Sequence, residues 1–242
     1  MGGGSTEGFD VSCWNGEIEM AEDDYIEGTP RKGDVLFQSD SSLWHMDAIL
    51  DYRPGNDYTY RQGYRRAGRL LTEWIAEKCR DQDFLVFPIC HAYRHFVELT
   101  LKSLIQLGCL LTERELTERE SKLQAGSHNL RALWDAFKAI AAEVEKTTGV
   151  EPPPKTDIEG IEAYIDQLHA VDEGSYAFRY PLKKTGEISL GNMARINLGR
   201  FCEHIEKLCN YLNGYEMHYQ EMIGHREEML SAYGPDLGAE YY

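Results

Sequence analysis

The stretch FLVFPICHAYRHFVELTLKSLIQ, residues 84–106, decides the fold. At about 100° per residue, His91, Arg94, His95, Glu98 and Lys102 fall on one helical arc roughly 100° wide. Leu85, Ile89, Tyr93, Phe96, Val97, Leu99, Leu101 and Leu104 occupy the rest of the circumference. A helix that is apolar around most of its surface must be covered on most sides, so this segment is expected at the centre of a bundle. The polar arc has two readings. In one, Arg94, Glu98 and Lys102, spaced four apart, form ion pairs along an exposed or half-buried face, each worth about 0.2–0.5 kcal/mol. In the other, the arc is the wall of a site.

Working outward, Tyr60, Tyr64, Ala67, Leu71, Trp74 and Ile75 recur at helical spacing and predict a long helix ending near Cys79. Arg61, Arg65, Arg66 and Arg69 fall on its other side, a solvated basic face or a contact surface for phosphate or an acidic partner. Pro88 suits the first turn of the central helix and Gly108 its stop. Residues 112–124, TERELTERESKLQ, read as an exposed helical excursion. Ser127 or Asn129 can cap a helix carrying Leu130, Leu133, Trp134, Phe137, Ile140 and Val144. TTGVEPPP (147–154) breaks the chain, and Thr156–Glu159 matches a capping box opening a helix with Ile158, Ile161, Ile165 and Leu168. Phe178–Leu182 and Ile188–Leu190 flank Lys183-Lys-Thr-Gly186, which predicts a small β-hairpin or ordered loop within 177–190. A last long helix starts near Asn192 or Met193 and buries Ile196, Phe201, Ile205, Leu208 and Leu212. The expected fold is mainly α, a bundle of four or five long helices with that one insertion. Residues 1–33 form an acidic, Gly-rich segment, 34–57 an apolar extension that packs on the main body, 58–232 the bundle, and 233–242 a tail.

Composition narrows the function classes. A chain of 242 residues buries a substantial core as one large domain or two small ones. Its net charge of −16 argues against general coating of nucleic acid, which relies on neutralising phosphates, while leaving room for a local basic cleft. No stretch approaches the roughly 20 apolar residues of a membrane span, and Met1-Gly-Gly-Gly-Ser5 lacks the features of a secretory signal. Cys13, Cys79, Cys90, Cys109, Cys202 and Cys209 form no CxxC pair and are expected as reduced structural thiols of a cytoplasmic protein. There is no phosphate-loop, dinucleotide or HExxH motif. Glu203 and His204 are adjacent rather than three apart, unlike the ligands of a di-iron bundle, and the seven-residue spacing of His218 and His225 is a weak metal signal. Neither metal nor cofactor is expected.

The order YRQGYRRAGRLL (60–71), YRHFVELTLKSLIQLG (93–108) and SHNLRALW (127–134), followed by a terminal long helix, resembles the HEPN superfamily over roughly residues 58–220. The resemblance implies a helical bundle that is usually a homodimer. Many members are metal-independent ribonucleases of prokaryotic toxin–antitoxin, abortive-infection and CRISPR-linked systems. Others are catalytically silent and bind nucleotides or partner proteins. The nuclease signature, an Arg followed by four to six residues and then a His, is absent here. Arg200-Phe-Cys-Glu-His204 comes nearest, with three intervening residues that still leave both side chains on one helix face.

Metal-free RNA cleavage needs a base for the 2′-hydroxyl, an acid for the leaving oxygen and a cation for the phosphorane. Histidine suits the proton transfers and arginine the charge. The candidate catalytic residues are therefore Arg94, His95 and Glu98 on the central arc, with Arg200 and His204 as the second pair. His91, Lys102, Arg179 and Tyr180 are the candidate substrate-binding residues. The competing reading makes Arg94, Glu98 and Lys102 structural ion pairs, gives Arg200 and His204 a structural role, and makes His128 a cap or interhelical hydrogen-bond partner. The two functions in view are a dimeric ribonuclease of a defence or toxin system and a silent module binding a nucleotide or partner protein.

Overall fold

The structure, a computed structural model, describes residues 29–50 and 57–233. Most of the acidic N-terminal segment, Cys13 and nearly all of the 233–242 tail lie outside these residues. The chain divides into two compact units, one up to Tyr52 and one from Arg53 onward. In the first, a short 3-10 turn over Trp44–Met46 interrupts irregular chain, and each large apolar side chain from Val35 to Leu50 is more than half exposed.

The second unit is mainly helical, as the apolar periodicity predicts. Its helices are α1 (Tyr58–Lys78), α2 (Gln82–Leu111), α3 (Glu118–Gly126), α4 (Leu130–Thr148), α5 (Lys155–Val171) and α6 (Leu198–Tyr233). The central helix is α2, which packs against α1, α4 and α6. Ile89, Tyr93, Phe96, Val97, Leu101, Leu104 and Ile105 are completely buried on it. Burying each such side chain favours the fold by about 1.5–3 kcal/mol before conformational entropy is charged against it.

Several boundaries differ from the sequence reading for physical reasons. Pro88 lies inside α2, because left-handed Cys79 and Asp81 turn the chain early and the helix starts at Gln82. Gly108 is a packing residue rather than a stop. A Cβ there would lie 2.1 Å from Ile140 Cγ2, so only glycine permits this approach of α2 to α4. Gly68 plays the same part on α1, where a Cβ would meet the Tyr93 ring at 2.7 Å. The charged excursion is only partly exposed: Thr117 and Glu120 close a capping box on α3, and Glu120 and Leu123 are buried. Asn129 caps α4, its Oδ1 accepting the Ala132 N–H at 2.8 Å. The Thr156 capping box does not form, since α5 begins at Lys155 with Pro154 before it and no side-chain cap. α6 begins at Leu198 instead of near Met193, with Asn197 Oδ1 accepting the Arg200 N–H at 2.9 Å.

Between α5 and α6 the chain is irregular. A single antiparallel bridge joins Leu182 to Ile188, closed by Lys183 N–H donating to the Glu187 carbonyl at 2.8 Å. No β-strand forms among the described residues.

Candidate functional site

The polar arc of α2 is neither a solvated strip nor an open wall. Arg94 and Glu98 are 0% and 1% exposed, and the other three residues are half-buried around them. The i, i+4 pattern forms as expected: Arg94 Nη1 donates to Glu98 Oε2 at 3.0 Å, and Lys102 Nζ to Glu98 Oε1 at 3.0 Å. Two elements far away in sequence complete the network. Arg94 Nη2 donates to the His128 carbonyl at 2.6 Å and Nε to the Asp172 carbonyl at 3.0 Å. The second Asp172 carboxylate oxygen lies 3.4 Å from Nε. The first accepts the backbone N–H groups of Tyr176 at 2.6 Å and Ala177 at 3.0 Å. His128 Nδ1 approaches Glu98 Oε1 at 3.0 Å, the interhelical contact proposed for it above. One ion cluster thus ties α2 to the start of α4 and to the chain leaving α5.

The charges balance internally. Arg94 and Lys102 face Glu98 and Asp172. Burial raises the Glu98 pKa, but Lys102 and His128 outweigh it, so the net shift is downward and the carboxylate form is held. The flanking imidazoles shift the other way. His91 has its pKa lowered by burial, then by the nearby Arg179 and Arg94 charges. Burial also lowers that of His95; Glu98 opposes this, and His91 and Lys102 add to it. Both rings are therefore neutral at pH 7. They lie nearly parallel, centroids 5.7 Å apart at 16°, and the Tyr64 ring meets His95 edge-on at 4.5 Å. His91 Nδ1 is buried without a hydrogen-bond partner.

Arg179 reaches this rim from the irregular segment. Its Nε donates to the Ser175 carbonyl at 2.6 Å, and its guanidinium lies over the Tyr176 and Tyr180 rings at 5.3 and 5.6 Å. Phe178 is buried beneath, which fixes the segment to the body. Tyr180 is half exposed and also lines an open cleft of about 1370 Å³ formed by residues 170–193. Arg200 and His204 have other partners. Arg200 pairs with Glu203 at 2.8 Å on α6, and His204 Nδ1 lies 3.1 Å from the Tyr164 hydroxyl of α5. Both are exposed.

Asp172 and a second buried cluster were not evident from residue spacing. Arg61, placed above on a solvated or docking face, is 1% exposed and grips the buried Glu216 with two donors, one at 2.6 Å. Ser103 Oγ donates to the same carboxylate at 3.1 Å. Arg65 pairs with Glu206, which also accepts from the Tyr93 hydroxyl at 2.8 Å. A signal for Glu216 was present: it occupies a core position in the run Leu208, Leu212, Glu216, Tyr219. Asp172 carried only a turn signal, a short acid followed by Gly174 and Ser175.

Fold and site together define a helical bundle pinned by two buried carboxylate–guanidinium clusters, with a rim of neutral imidazoles over one of them. No family model, curated protein or solved structure matches the chain. Among the described residues no helix is long and apolar enough to cross a membrane, and no group of three or more metal-ligating side chains comes together.

Proposed function

We propose that this chain is a HEPN-like module of a prokaryotic defence or toxin-type system, working in the cytoplasm as a homodimer by binding rather than by cutting RNA. The motif order of residues 60–134 supports the family, and a mainly helical body agrees with it. One observation carries the choice of binding over cleavage. Arg94, the only arginine on the arc, directs Nε, Nη1 and Nη2 at protein acceptors and has no exposed surface for a phosphorane. Glu98 is equally enclosed. What remains accessible is His91, His95 and Arg179, two stacked planar rings beside one cation. A nucleotide suits that set, its base on the rings and its phosphate on the guanidinium. Titration calorimetry with nucleoside triphosphates tests this. Saturable binding weakened about tenfold or more by Arg179→Ala and by His91→Ala is expected. Equal affinity in the wild type and both variants would refute it.

A second reading keeps the enzyme. The stacked pair His91 and His95, half-exposed with lowered proton affinity, could supply a neutral base next to Arg179, so that two rims across a two-fold axis form a ribonuclease cleft. Cleavage of RNA in excess EDTA, lost in His95→Ala, favours this reading over the first.

A further inference from the structure

A second concave site lies where the end of α4, the loop into α5 and the middle of α6 meet. It is an open hollow of about 380 Å³, in the size range of small-molecule pockets. Tyr211, Tyr215 and Tyr219 stand at four-residue spacing along one wall; Tyr211 and Tyr215 are partly exposed to the pocket, and Tyr219, 2% exposed, closes its inner end. Tyr211 and Tyr215 lie with centroids 5.3 Å apart, and Tyr215 meets Tyr219 edge-on at 5.9 Å. Phe137 braces Tyr215 from behind at 5.2 Å, fixing that ring in place. Gly214 belongs to the same wall, and a Cβ there would meet nothing within 4 Å, so the missing side chain leaves open space.

The permanent charge on this pocket has one sign, with His218 the one imidazole in its lining. Glu145 and Glu151 both line it, and neither a lysine nor an arginine does. Glu145 has no ion pair among the described residues, in a chain where most half-buried carboxylates have one. Its field falls on all three tyrosines, and partial burial without a counter-charge raises its own pKa. Ring faces carry negative electrostatic potential and attract cations. An overall charge of −16 further concentrates cations near the protein.

We infer that this pocket binds a small organic ammonium ion, its charged head on Glu145 and its apolar body against the Tyr211 and Tyr215 rings. Arylalkylamines fit both requirements. The site is independent of the imidazole rim, since it shares no residue with it.

The test uses 2-phenylethylammonium and its neutral isostere 2-phenylethanol, titrated at pH 8 into the full chain while tyrosine ring signals are followed by NMR. The ammonium should bind saturably, with Tyr211 and Tyr215 among the rings that move. The alcohol should bind about tenfold more weakly, the ratio expected for one charge-assisted contact. Glu145→Gln should bring the amine down to the affinity of the alcohol and leave the alcohol unchanged. Gly214→Phe, which fills the pocket from a position with room for it, should abolish binding of both while the melting temperature holds. Equal affinity for amine and alcohol, no effect of Glu145→Gln, or no saturable binding to the folded wild type would each overturn the inference.

Discussion

Replacing Arg94 with methionine keeps an unbranched apolar stem in the core and removes only the guanidinium. The carbonyls of Asp172 and His128 then lose their donor, and Glu98 keeps only Lys102 and His128. Each buried acceptor left without a partner costs about 1–3 kcal/mol. Breaking a buried ion pair by removing one member costs about 3–5 kcal/mol in all, because the other charge stays behind. Urea unfolding followed by circular dichroism should therefore show Arg94→Met less stable by about 3–5 kcal/mol, a large part of the roughly 5–15 kcal/mol of an ordinary domain. Glu98→Leu should cost a similar amount. The double variant should cost less than the sum by about 2–3 kcal/mol, since removing both charges leaves neither stranded. A loss below about 1 kcal/mol for Arg94→Met, or strict additivity, would show that the cluster does not hold the bundle together. Lys102→Met makes the internal comparison: its side chain is 14% exposed, so the expected loss is smaller.

Gly108→Ala should destabilise by about 1–3 kcal/mol, the usual cost of overpacking, and Ile140→Ala in the same chain should recover part of it by vacating the space the new methyl enters. The lowered pKa values of His91 and His95 mean that the unfolded chain binds protons more readily than the folded one. Their contribution is fully present above pH 6.5 and is lost as pH falls through the folded values, so His91→Asn/His95→Asn should flatten the fall in stability between pH 7.5 and pH 5. Glu120 behaves in the opposite chemical sense with the same slope. Hydrogen bonds from Arg114 hold its pKa at about 2, so its contribution is present above the unfolded value and vanishes as pH drops towards 2. The melting-point gap between wild type and Glu120→Gln should accordingly be wide at pH 7 and close at pH 2.

The helical periodicity carried most of the fold, since each helix has one face that must be buried and the 3.6-residue repeat records it. The run around Phe96 and Leu101 marks a helix buried on nearly all sides, and α2 is that helix. Helix ends were less legible because they depend on tertiary contacts. Nothing local tells Gly108 the stop from Gly108 the contact point; Ile140 on another helix makes the difference. The site followed the same division. The links from Arg94 to Glu98 and Glu98 to Lys102 are local and readable from spacing alone. The partners that bury them, Asp172 and His128, come from 78 and 34 residues beyond Arg94. Arg61 was misread for a related reason: its helix looks amphipathic with a basic face, yet α6 covers that face with Glu216 and Glu206.

The claim that the arc of α2 is a clamp beneath a binding rim, and not a nuclease centre, is tested most directly by incubating the purified full chain with single-stranded and structured RNA in excess EDTA. The account predicts intact RNA at every protein concentration, for wild type and His95→Ala alike, from protein shown to be folded. Metal-independent cleavage by the wild type that disappears in His95→Ala would contradict it.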